Sequence, residues 1–201
     1  MAGQLVLITG AVRSGKSRYA EQMVRELAGP GGVVYLATSR VWDDEMAARV
    51  AQHQRSRPAV WQTVEEPLRL GAALEGAGRA RRAAVLVESV DMWVSNRLME
   101  IHPVEGEDTT RLDPAKVQAL EAALLKETTE IVAAHRASNG DLVLVTVEAG
   151  WGVVPPYPLG RVFRDLLGRV NTALAAEAGR VLLMVAGLPV DVKRLGGASG
   201  D

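Results

Sequence analysis

The sequence predicts an α/β fold, with a mostly parallel sheet and helices on both of its faces, from three observations. Apolar runs recur along the chain and are nearly continuous, which is typical of strands that are covered on both sides. Helical periods of apolar residues separate these runs. The 201 residues are 48% hydrophobic and contain no cysteine, a composition typical of one globular domain without disulfides. We therefore expect a single domain over residues 1–195 and a disordered tail over residues 196–201.

The apolar runs and helical periods define the predicted elements. The strands are expected at Leu5–Thr9, Val33–Ala37, Ala83–Val87, Leu142–Val147 and Val181–Ala186. The helices are expected at Ser17–Leu27, Asp43–Gln54, Asp91–Met99, Pro114–Ala137 and Leu159–Ala178. The start of the fourth helix follows from Asp113-Pro114, since aspartate caps helices and proline suits the first helical position. Two segments without a clear period, Gly71–Arg82 and Ile101–Thr110, are expected to be surface connections.

Charge and hydropathy exclude two classes of partner. The 23 basic and 24 acidic residues give a formal charge of −1, whereas nucleic-acid-binding domains usually carry a large basic excess. No apolar run approaches the roughly 20 residues of a membrane span, and residues 1–9 lack the features of a signal peptide. We therefore expect a cytoplasmic protein that binds no nucleic acid, does not insert into a membrane, and meets anionic ligands locally.

A phosphate-binding motif follows the first predicted strand. Residues 10–17, GAVRSGKS, match GxxxxGK[ST] between a strand and a helix, the context that this motif requires. Its glycines let backbone N–H groups turn toward one point, and the helix N-terminus adds partial positive charge. Lys16 is expected to reach the β- and γ-phosphates, and the Ser17 hydroxyl to ligate Mg²⁺. The motif predicts a P-loop NTPase-like fold that binds a nucleoside triphosphate.

Polar residues also end the neighbouring strands. Glu88 follows an apolar strand, where P-loop enzymes usually place a metal-binding carboxylate. Glu88 has a second interpretation, because it or Asp91 can instead cap the following helix. Ala37, Thr38 and Ser39 end the second strand at the carboxyl edge, where open α/β sheets bind ligands. The hydroxyls there are expected to reach phosphates or base.

His53 also has two interpretations. Met46, Val50 and His53 fall on one helical face, so spacing alone favours a half-buried structural histidine near a helix end. Residues 54–57, QRSR, place two guanidiniums just beyond it, an arrangement that suits a polyphosphate. The residues by themselves leave both interpretations open.

Seven blocks, taken in order, carry a family resemblance. They are GAVRSGKSRYAE from Gly10, YLATS from Tyr35, DDEMAARVAQHQRSRP from Asp43, WQTVEEP from Trp61, VLVESVDMWVSN from Val85, EAGWGVVP from Glu148 and FRDLLGRVNTALA from Phe163. The chain resembles, from about Leu5 to Lys193, the adenosylcobinamide kinase / adenosylcobinamide-phosphate guanylyltransferase family. These are bifunctional P-loop enzymes of cobalamin nucleotide-loop assembly.

The resemblance implies two reactions. The first phosphorylates adenosylcobinamide with a nucleoside triphosphate. The second transfers GMP from GTP, through a histidine-GMP intermediate, to adenosylcobinamide phosphate, which gives adenosylcobinamide-GDP. The matching histidine is His53, so His53 and Lys16 are the catalytic candidates. The resemblance also implies Mg²⁺ and GTP as cofactors, with ATP possible for the kinase step, and a homotrimer.

The same resemblance assigns the binding residues. Metal binding is carried over to Ser17 and Glu88. Nucleotide binding is carried over to Gly10, Ala11, Val12, Arg13, Ser14, Gly15, Lys16, Ser17, Ala37, Thr38, Ser39, Gln54, Arg55, Ser56, Arg57, Glu65 and Glu88.

The sequence departs from the family pattern at two positions. Val147 stands before Glu148 where the family usually has Asn, and Glu88 stands where members often have Asp. The first difference removes a polar contact, and the second lengthens a metal-binding side chain by one methylene. Two rival functions stay open. One is a P-loop small-molecule kinase without nucleotidyl transfer, in which His53 is structural, and the other is a nucleotide-binding regulatory module without turnover.

Overall fold

The protein is described here by a computed structural model over residues 3–40, 58–77, 84–102 and 112–196. The strands in chain order are β1 (Leu5–Gly10), β2 (Val33–Ala37), β3 (Gln62–Glu65), β4 (Ala84–Glu88), β5 (Leu142–Val145), β6 (Arg180–Val185) and β7 (Leu188–Asp191). The α-helices are α1 (Lys16–Ala28), α2 (Leu70–Ala77), α3 (Val90–Ile101), α4 (Pro114–Ser138), α5 (Pro158–Glu177) and α6 (Val192–Gly196). Short 3-10 helices lie at Gly29–Gly31 and Ala149–Trp151.

The described strands form one sheet in the order β3-β2-β4-β5-β1-β6-β7. Every neighbouring pair is parallel except β6 and β7. In register, Ile8 of β1 lies opposite Val145 of β5, and Gly10 lies opposite Met184 of β6. Because parallel strands end at the same edge, the segments that follow β1, β2, β4 and β5 meet there.

Alternate residues of β1 face different layers. Leu5 and Leu7 belong to the core that the sheet forms with α2, α3, α4 and α5, whereas Val6 and Ile8 belong to the core that it forms with α1. Helices therefore cover both faces of a mostly parallel sheet, which confirms the predicted architecture. Within the described ranges, no helix combines the length and apolar character needed to cross a membrane.

The predicted elements that lie within the described ranges are confirmed, with ends shifted by a few residues. Asp113 caps α4 as expected, since its side chain accepts a hydrogen bond from the Ala115 N–H at 2.9 Å. β5 ends at Val145 rather than at Val147. The first residue of the expected tail, Gly196, is instead the last residue of α6. Helix 43–54 and residues 78–83, 103–111 and 197–201 lie outside the described residues.

One expectation is wrong within its described part. Residues 71–77, expected to be a surface connection, belong to α2. The Gly71 N–H donates to Glu127 Oε1 of α4 at 3.4 Å, and a Cβ at Gly71 would lie 3.4 Å from Glu130 Cβ. Leu70 and Leu74 of this helix are buried. Close packing on α4 therefore stabilises a helix whose small residues give little periodic signal.

Strands β3 and β7 were not predicted. They form the two edges of the described sheet, and their sequences are QTVE and LPVD. An edge strand has hydrogen-bond partners on one side only, so polar residues and proline are tolerated there. Such strands lack the continuous apolar run that reveals a central strand.

Candidate functional site

The loop between β1 and α1 has the backbone geometry of a phosphate cradle. Gly10 and Gly15 have φ angles of 140° and 93°, which residues with a side chain rarely adopt. A Cβ at Gly10 would lie 2.6 Å from Met184 O, so β6 approaches this loop too closely for another residue type. The Gly187 N–H donates to Ser14 O at 3.0 Å. The β6–β7 turn thereby supports the loop.

The start of α1 leaves groups available to an anion. Gly15 is the N-cap residue, and no side chain caps the first turn. Ser14 Oγ is buried and has no hydrogen-bond partner within the described part of the chain. Free N–H groups at a helix N-terminus and an unpaired buried hydroxyl are the groups that a phosphate satisfies.

Lys16 is folded back onto this loop. Its Nζ donates to Gly10 O at 3.0 Å and to Ala11 O at 2.7 Å. Burial lowers the pKa of Lys16, and the negative charges of Asp91 and Glu88 act in the opposite direction. Because ammonium–phosphate hydrogen bonds are stronger than bonds to neutral carbonyls, an entering phosphate can replace the two carbonyl partners.

Glu88 faces the same loop from the end of β4. Its Oε1 accepts a hydrogen bond from Ser17 Oγ, so the structure brings together the two side chains that were predicted to bind metal. Ser89, and not Glu88, occupies the N-cap position of α3. This placement favours the metal-associated interpretation of Glu88 over the capping interpretation.

Asp91 adds a second carboxylate to this region. It lies in the first turn of α3, and its Oδ1 is buried without a hydrogen-bond partner among the described residues. Burial raises the pKa of Asp91, while a hydrogen bond from Ser89, its own N–H and the charge of Lys16 lower it. The sequence had indicated Asp91 only as a helix-capping residue.

These donors fit a phosphate-bound Mg²⁺ ion. The described ranges contain no group of three or more His, Asp or Glu side chains that could hold a metal by itself. Mg²⁺ is usually held by one or two carboxylates together with substrate phosphates and waters. A hydroxyl at Ser17, a carboxylate at Glu88 and the unpaired Asp91 oxygen match that mode of binding.

The loop after β2 is anchored by buried side chains. Thr38 Oγ1 donates to Ser89 O at 2.7 Å and accepts from the Ser89 N–H at 2.7 Å. Asn96 Nδ2 donates to Thr38 O at 2.7 Å and to Pro67 O at 3.1 Å. The Thr38 hydroxyl, expected to reach a ligand, is therefore engaged with α3, and Ala37 and Ser39 are its neighbours in that loop.

The remaining nucleotide-binding candidates divide into two groups. Glu65 is exposed and lies opposite Ala37 in the β2–β3 ladder, so it shares the carboxyl edge with the Thr38 loop. The other candidates lie outside the described residues, and they are His53, Gln54, Arg55, Ser56 and Arg57.

Next to the phosphate loop, Glu148 follows β5, the strand between β4 and β1 in the sheet. Thr9 Oγ1 donates to Glu148 Oε1 at 2.7 Å. Asn171 of α5 accepts from Thr146 Oγ1 at 2.8 Å and donates to Val147 O at 3.0 Å. The start of the loop that carries Glu148 is thus held by both β1 and α5.

Sequence reasoning missed both buried asparagines. Asn96 and Asn171 are 1% and 8% exposed, and each bonds to a loop at the carboxyl edge of the sheet. The available signal was a polar side chain on the apolar face of a helix, as with Asn171 between Leu167 and Leu174. Buried asparagines require partners.

Known proteins match nearly the whole chain. The family model described as cobinamide kinase / cobinamide phosphate guanyltransferase matches residues 6–192. The bifunctional adenosylcobalamin biosynthesis protein CobU of Escherichia coli (strain K12) is 41% identical over 189 residues, which are 94% of this chain and 99% of that protein. The bifunctional adenosylcobalamin biosynthesis protein CobP of Pseudomonas aeruginosa is 38% identical over 187 residues, which are 93% and 96% of the two chains.

A solved structure of an ATPase domain shares the fold. Its TM-score is 0.50 at 10% sequence identity, and the match covers 90% of this chain and 68% of that one. At this identity the likeness concerns the fold alone. It supports the predicted P-loop NTPase-like architecture.

Proposed function

Because the chain belongs to the cobinamide kinase / cobinamide phosphate guanyltransferase family, we propose that it catalyses both reactions. It phosphorylates adenosylcobinamide with a nucleoside triphosphate, and it transfers GMP from GTP to adenosylcobinamide phosphate. The observation that carries this proposal is the Ser17–Glu88 pair at the mouth of an uncapped phosphate loop. Both reactions use one triphosphate site in this proposal.

In the kinase step, the loop 10–17 binds the triphosphate through its backbone N–H groups and the N-terminus of α1. Lys16 exchanges its bonds to Gly10 O and Ala11 O for bonds to the β- and γ-phosphates. This exchange places a positive charge where negative charge develops during phosphoryl transfer. Catalysis by these groups consists of positioning and charge stabilisation.

Ser17 and Glu88 are the residues that would hold Mg²⁺, with Asp91 behind them. When bound, Mg²⁺ neutralises charge on the transferring and leaving phosphates. The Ser17–Glu88 hydrogen bond keeps the two oxygens close together before the nucleotide arrives. Glu88 therefore orients the Ser17 hydroxyl as well as supplying negative charge.

GMP transfer requires a nucleophile, and we assign it to His53. The lone pair of a neutral imidazole nitrogen attacks the α-phosphorus of GTP, the bond from that phosphorus to its bridging oxygen breaks, and pyrophosphate leaves. A phosphate oxygen of adenosylcobinamide phosphate then attacks the phosphorus, and the P–N bond breaks. The support for His53 is the block of residues 43–58, which the family resemblance covers.

The base and ribose of the nucleotide are assigned to the side of the phosphate loop that carries β2 and β3. Ala37, Ser39 and Glu65 lie there at one edge of the sheet, and Thr38 holds the loop in place. Residues 54–57, with two arginines, are assigned to the triphosphate. GTP serves guanylylation, and either GTP or ATP serves the kinase step.

We also propose a homotrimer that works in the cytoplasm. Apolar side chains are exposed after Glu148, at Trp151, Val153 and Tyr157, and at Leu188 of β7 and Leu195 of α6. Exposed apolar patches of this kind are typical of contact surfaces. Sedimentation equilibrium of the purified chain measures its mass directly, and a monomer would contradict the trimer.

The histidine–GMP adduct provides the sharpest test of the function. The chain is incubated with Mg²⁺ and α-labelled GTP, and we expect a protein adduct that is labile in acid and stable in alkali. His53→Ala should abolish the adduct and lower GMP transfer by about three powers of ten or more, because an essential nucleophile is lost. Phosphorylation of adenosylcobinamide should persist.

The two other histidines supply matched controls. His102 lies at the C-terminal end of α3, and His135 lines a cavity of about 580 Å³ at the opposite edge of the sheet. His102→Ala and His135→Ala should both keep the adduct. An adduct that persists in His53→Ala would disprove the assignment. A wild-type chain that phosphorylates the corrinoid but never forms an adduct would support the kinase without nucleotidyl transfer.

A further inference from the structure

Glu148 lies beside the phosphate loop, between that loop and the loops that carry the assigned base-binding residues. It follows β5, which pairs directly with β1. Its Oε1 accepts from Thr9 Oγ1 at 2.7 Å, and its N–H donates to Gly10 O at 3.4 Å. Thr9 is only 5% exposed. The carboxylate is therefore tied to the last residues of β1, immediately before the phosphate loop.

The backbone just before Glu148 is held by the helix α5. Asn171 of α5 donates to Val147 O at 3.0 Å and accepts from Thr146 Oγ1 at 2.8 Å. Thr146 is completely buried. Two independent anchors, one on the side chain and one on the preceding backbone, keep the carboxylate in one place. A catalytic group benefits from such preorganisation.

One oxygen of this carboxylate is unused. Glu148 is half-buried, and across the described ranges its Oε2 accepts no hydrogen bond and the residue forms no ion pair. Thr9 holds the other oxygen, so Oε2 is the acceptor that is left for a ligand. A fixed carboxylate with one free oxygen beside a phosphate site has the chemistry of a proton acceptor.

The other described carboxylates near this edge are less suited to accept a proton at the phosphate loop. Glu88 is bonded to Ser17, and Glu66, which follows β3, accepts from the N–H groups of Leu68 and Arg69 just before α2. Asp91 Oδ1 is buried, and it belongs with Ser17 and Glu88 to the proposed Mg²⁺ donors. Glu65 ends β3, which three strands separate from β1, a distance of roughly 19 Å at the usual strand spacing.

We propose that Glu148 accepts the proton of the corrinoid hydroxyl in the kinase step. This inference rests on the proposed function. The hydroxyl oxygen forms a bond to the γ-phosphorus, the bond from that phosphorus to the β,γ-bridging oxygen breaks, and the nucleoside diphosphate leaves with the electron pair. The hydroxyl proton passes to Glu148 Oε2 and then to water.

The GMP-transfer reaction does not need this acceptor. An imidazole nitrogen attacks through its lone pair, and the phosphate oxygen that later takes GMP is already ionised near neutral pH. Glu148 therefore affects the two activities unequally, which a merely structural residue would not do. This difference makes the proposal testable within one protein.

The test is Glu148→Gln in the full chain. Glutamine keeps an oxygen that accepts from Thr9, and it lacks a basic carboxylate. The expected result is a fall in the kinase kcat of about 10²- to 10³-fold, with KM for the triphosphate, the GMP adduct and the thermal midpoint nearly unchanged. The matched control is Glu177→Gln, an exposed glutamate paired with Arg136, which should keep both activities.

Three results would overturn the inference. Kinase kcat within tenfold of wild type in Glu148→Gln would show that no proton is accepted there. Equal loss of kinase and adduct formation, with a normal thermal midpoint, would assign Glu148 to nucleotide binding. A wild-type chain that forms no corrinoid phosphate would overturn the proposed function, and this inference with it.

Discussion

Two buried asparagines hold loops on one side of the phosphate loop, the first after β2 and β3 and the second after β5, which is next to β1, and they do so differently. Asn96 donates to two backbone carbonyls, those of Thr38 and Pro67, which belong to separate loops. Asn171 accepts from the side chain of Thr146 and donates to the carbonyl of the following residue, so it holds a single loop. The region after β2 and β3 is joined across two loops, whereas the region after β5 is fixed within a single loop.

The two regions therefore depend on their residue types in different ways. Backbone carbonyls are present whatever the residue type, so the contacts that Asn96 makes constrain Asn96 itself more than its partners. Asn171 also needs a hydroxyl at Thr146. It tolerates valine at position 147, where the family usually has Asn, because it binds the carbonyl of Val147 and not its side chain.

The largest effect is expected from removing the lysine side chain that both reactions share. Lys16→Ala should lower both the kinase rate and GMP transfer by about 10²- to 10³-fold, because one positively charged donor serves both reactions. Separate assays of corrinoid phosphate and of the GMP adduct measure the two losses. A variant that keeps full GMP transfer while losing kinase activity would require two triphosphate sites, and the two regions would not serve a single phosphate loop.

A second, smaller effect separates the two asparagines directly. Asn96→Asp places a carboxylate oxygen against two carbonyls, and we expect it to lower the free energy of unfolding by about 3 to 5 kcal/mol. Asn171→Asp keeps the bond from Thr146 and loses one donor, so about 1 to 3 kcal/mol is expected. Urea unfolding of the two variants measures the difference. Equal decreases in the free energy of unfolding would mean that joining two loops through Asn96 adds no stability.

The functional consequences of these two variants should also differ. Where folded protein is recovered, Asn96→Asp should raise KM for GTP, since its loop carries the nucleotide-binding candidates. Asn171→Asp should lower the kinase kcat, since its loop carries Glu148. If Asn96→Asp lowered the kinase kcat and Asn171→Asp raised KM for GTP, the roles that we assign to the two regions would have to be exchanged.

The smallest effect is expected on the pH dependence of stability, through His135 at the opposite edge of the sheet. Burial lowers the pKa of His135, as does Arg136, while Asp141 and the Gly140 and Gly3 backbones act in the opposite direction. The unfolded chain then binds the proton more readily than the native chain. Stability should therefore fall as pH drops below about 6.5, and should level off below the native pKa.

His135→Gln checks this expectation. Its thermal midpoint should vary less than that of wild type between about pH 7.5 and pH 5.5, a range that spans the ordinary histidine pKa, with both activities retained at neutral pH. An unchanged pH profile would show that His135 does not titrate differently in the two states. A loss of either activity would connect this edge to the site.

Much of the fold was predictable because its signals are local. The central strands appeared as continuous apolar runs, since each is covered on both faces, and the phosphate loop appeared as glycines at fixed spacing before Lys16 and Ser17. The capping of α4 by Asp113 was also predictable, because cap and helix are adjacent in the chain. The helix α2 was not, because its stability depends on packing against α4, which lies far along the sequence.

The sequence alone predicted the fold class, the phosphate loop and the candidate metal pair and, through resemblance, the family and the candidate nucleophile His53. These depend on residue type and on spacing along the chain. Only the tertiary structure decided that Glu88 faces Ser17, that the Thr38 hydroxyl is engaged with Ser89, and that Glu148 keeps a free oxygen beside the phosphate loop. Those facts depend on which atoms meet across the edge of the sheet, and hydrogen bonds between residues so far apart in the chain leave no periodic trace in the sequence.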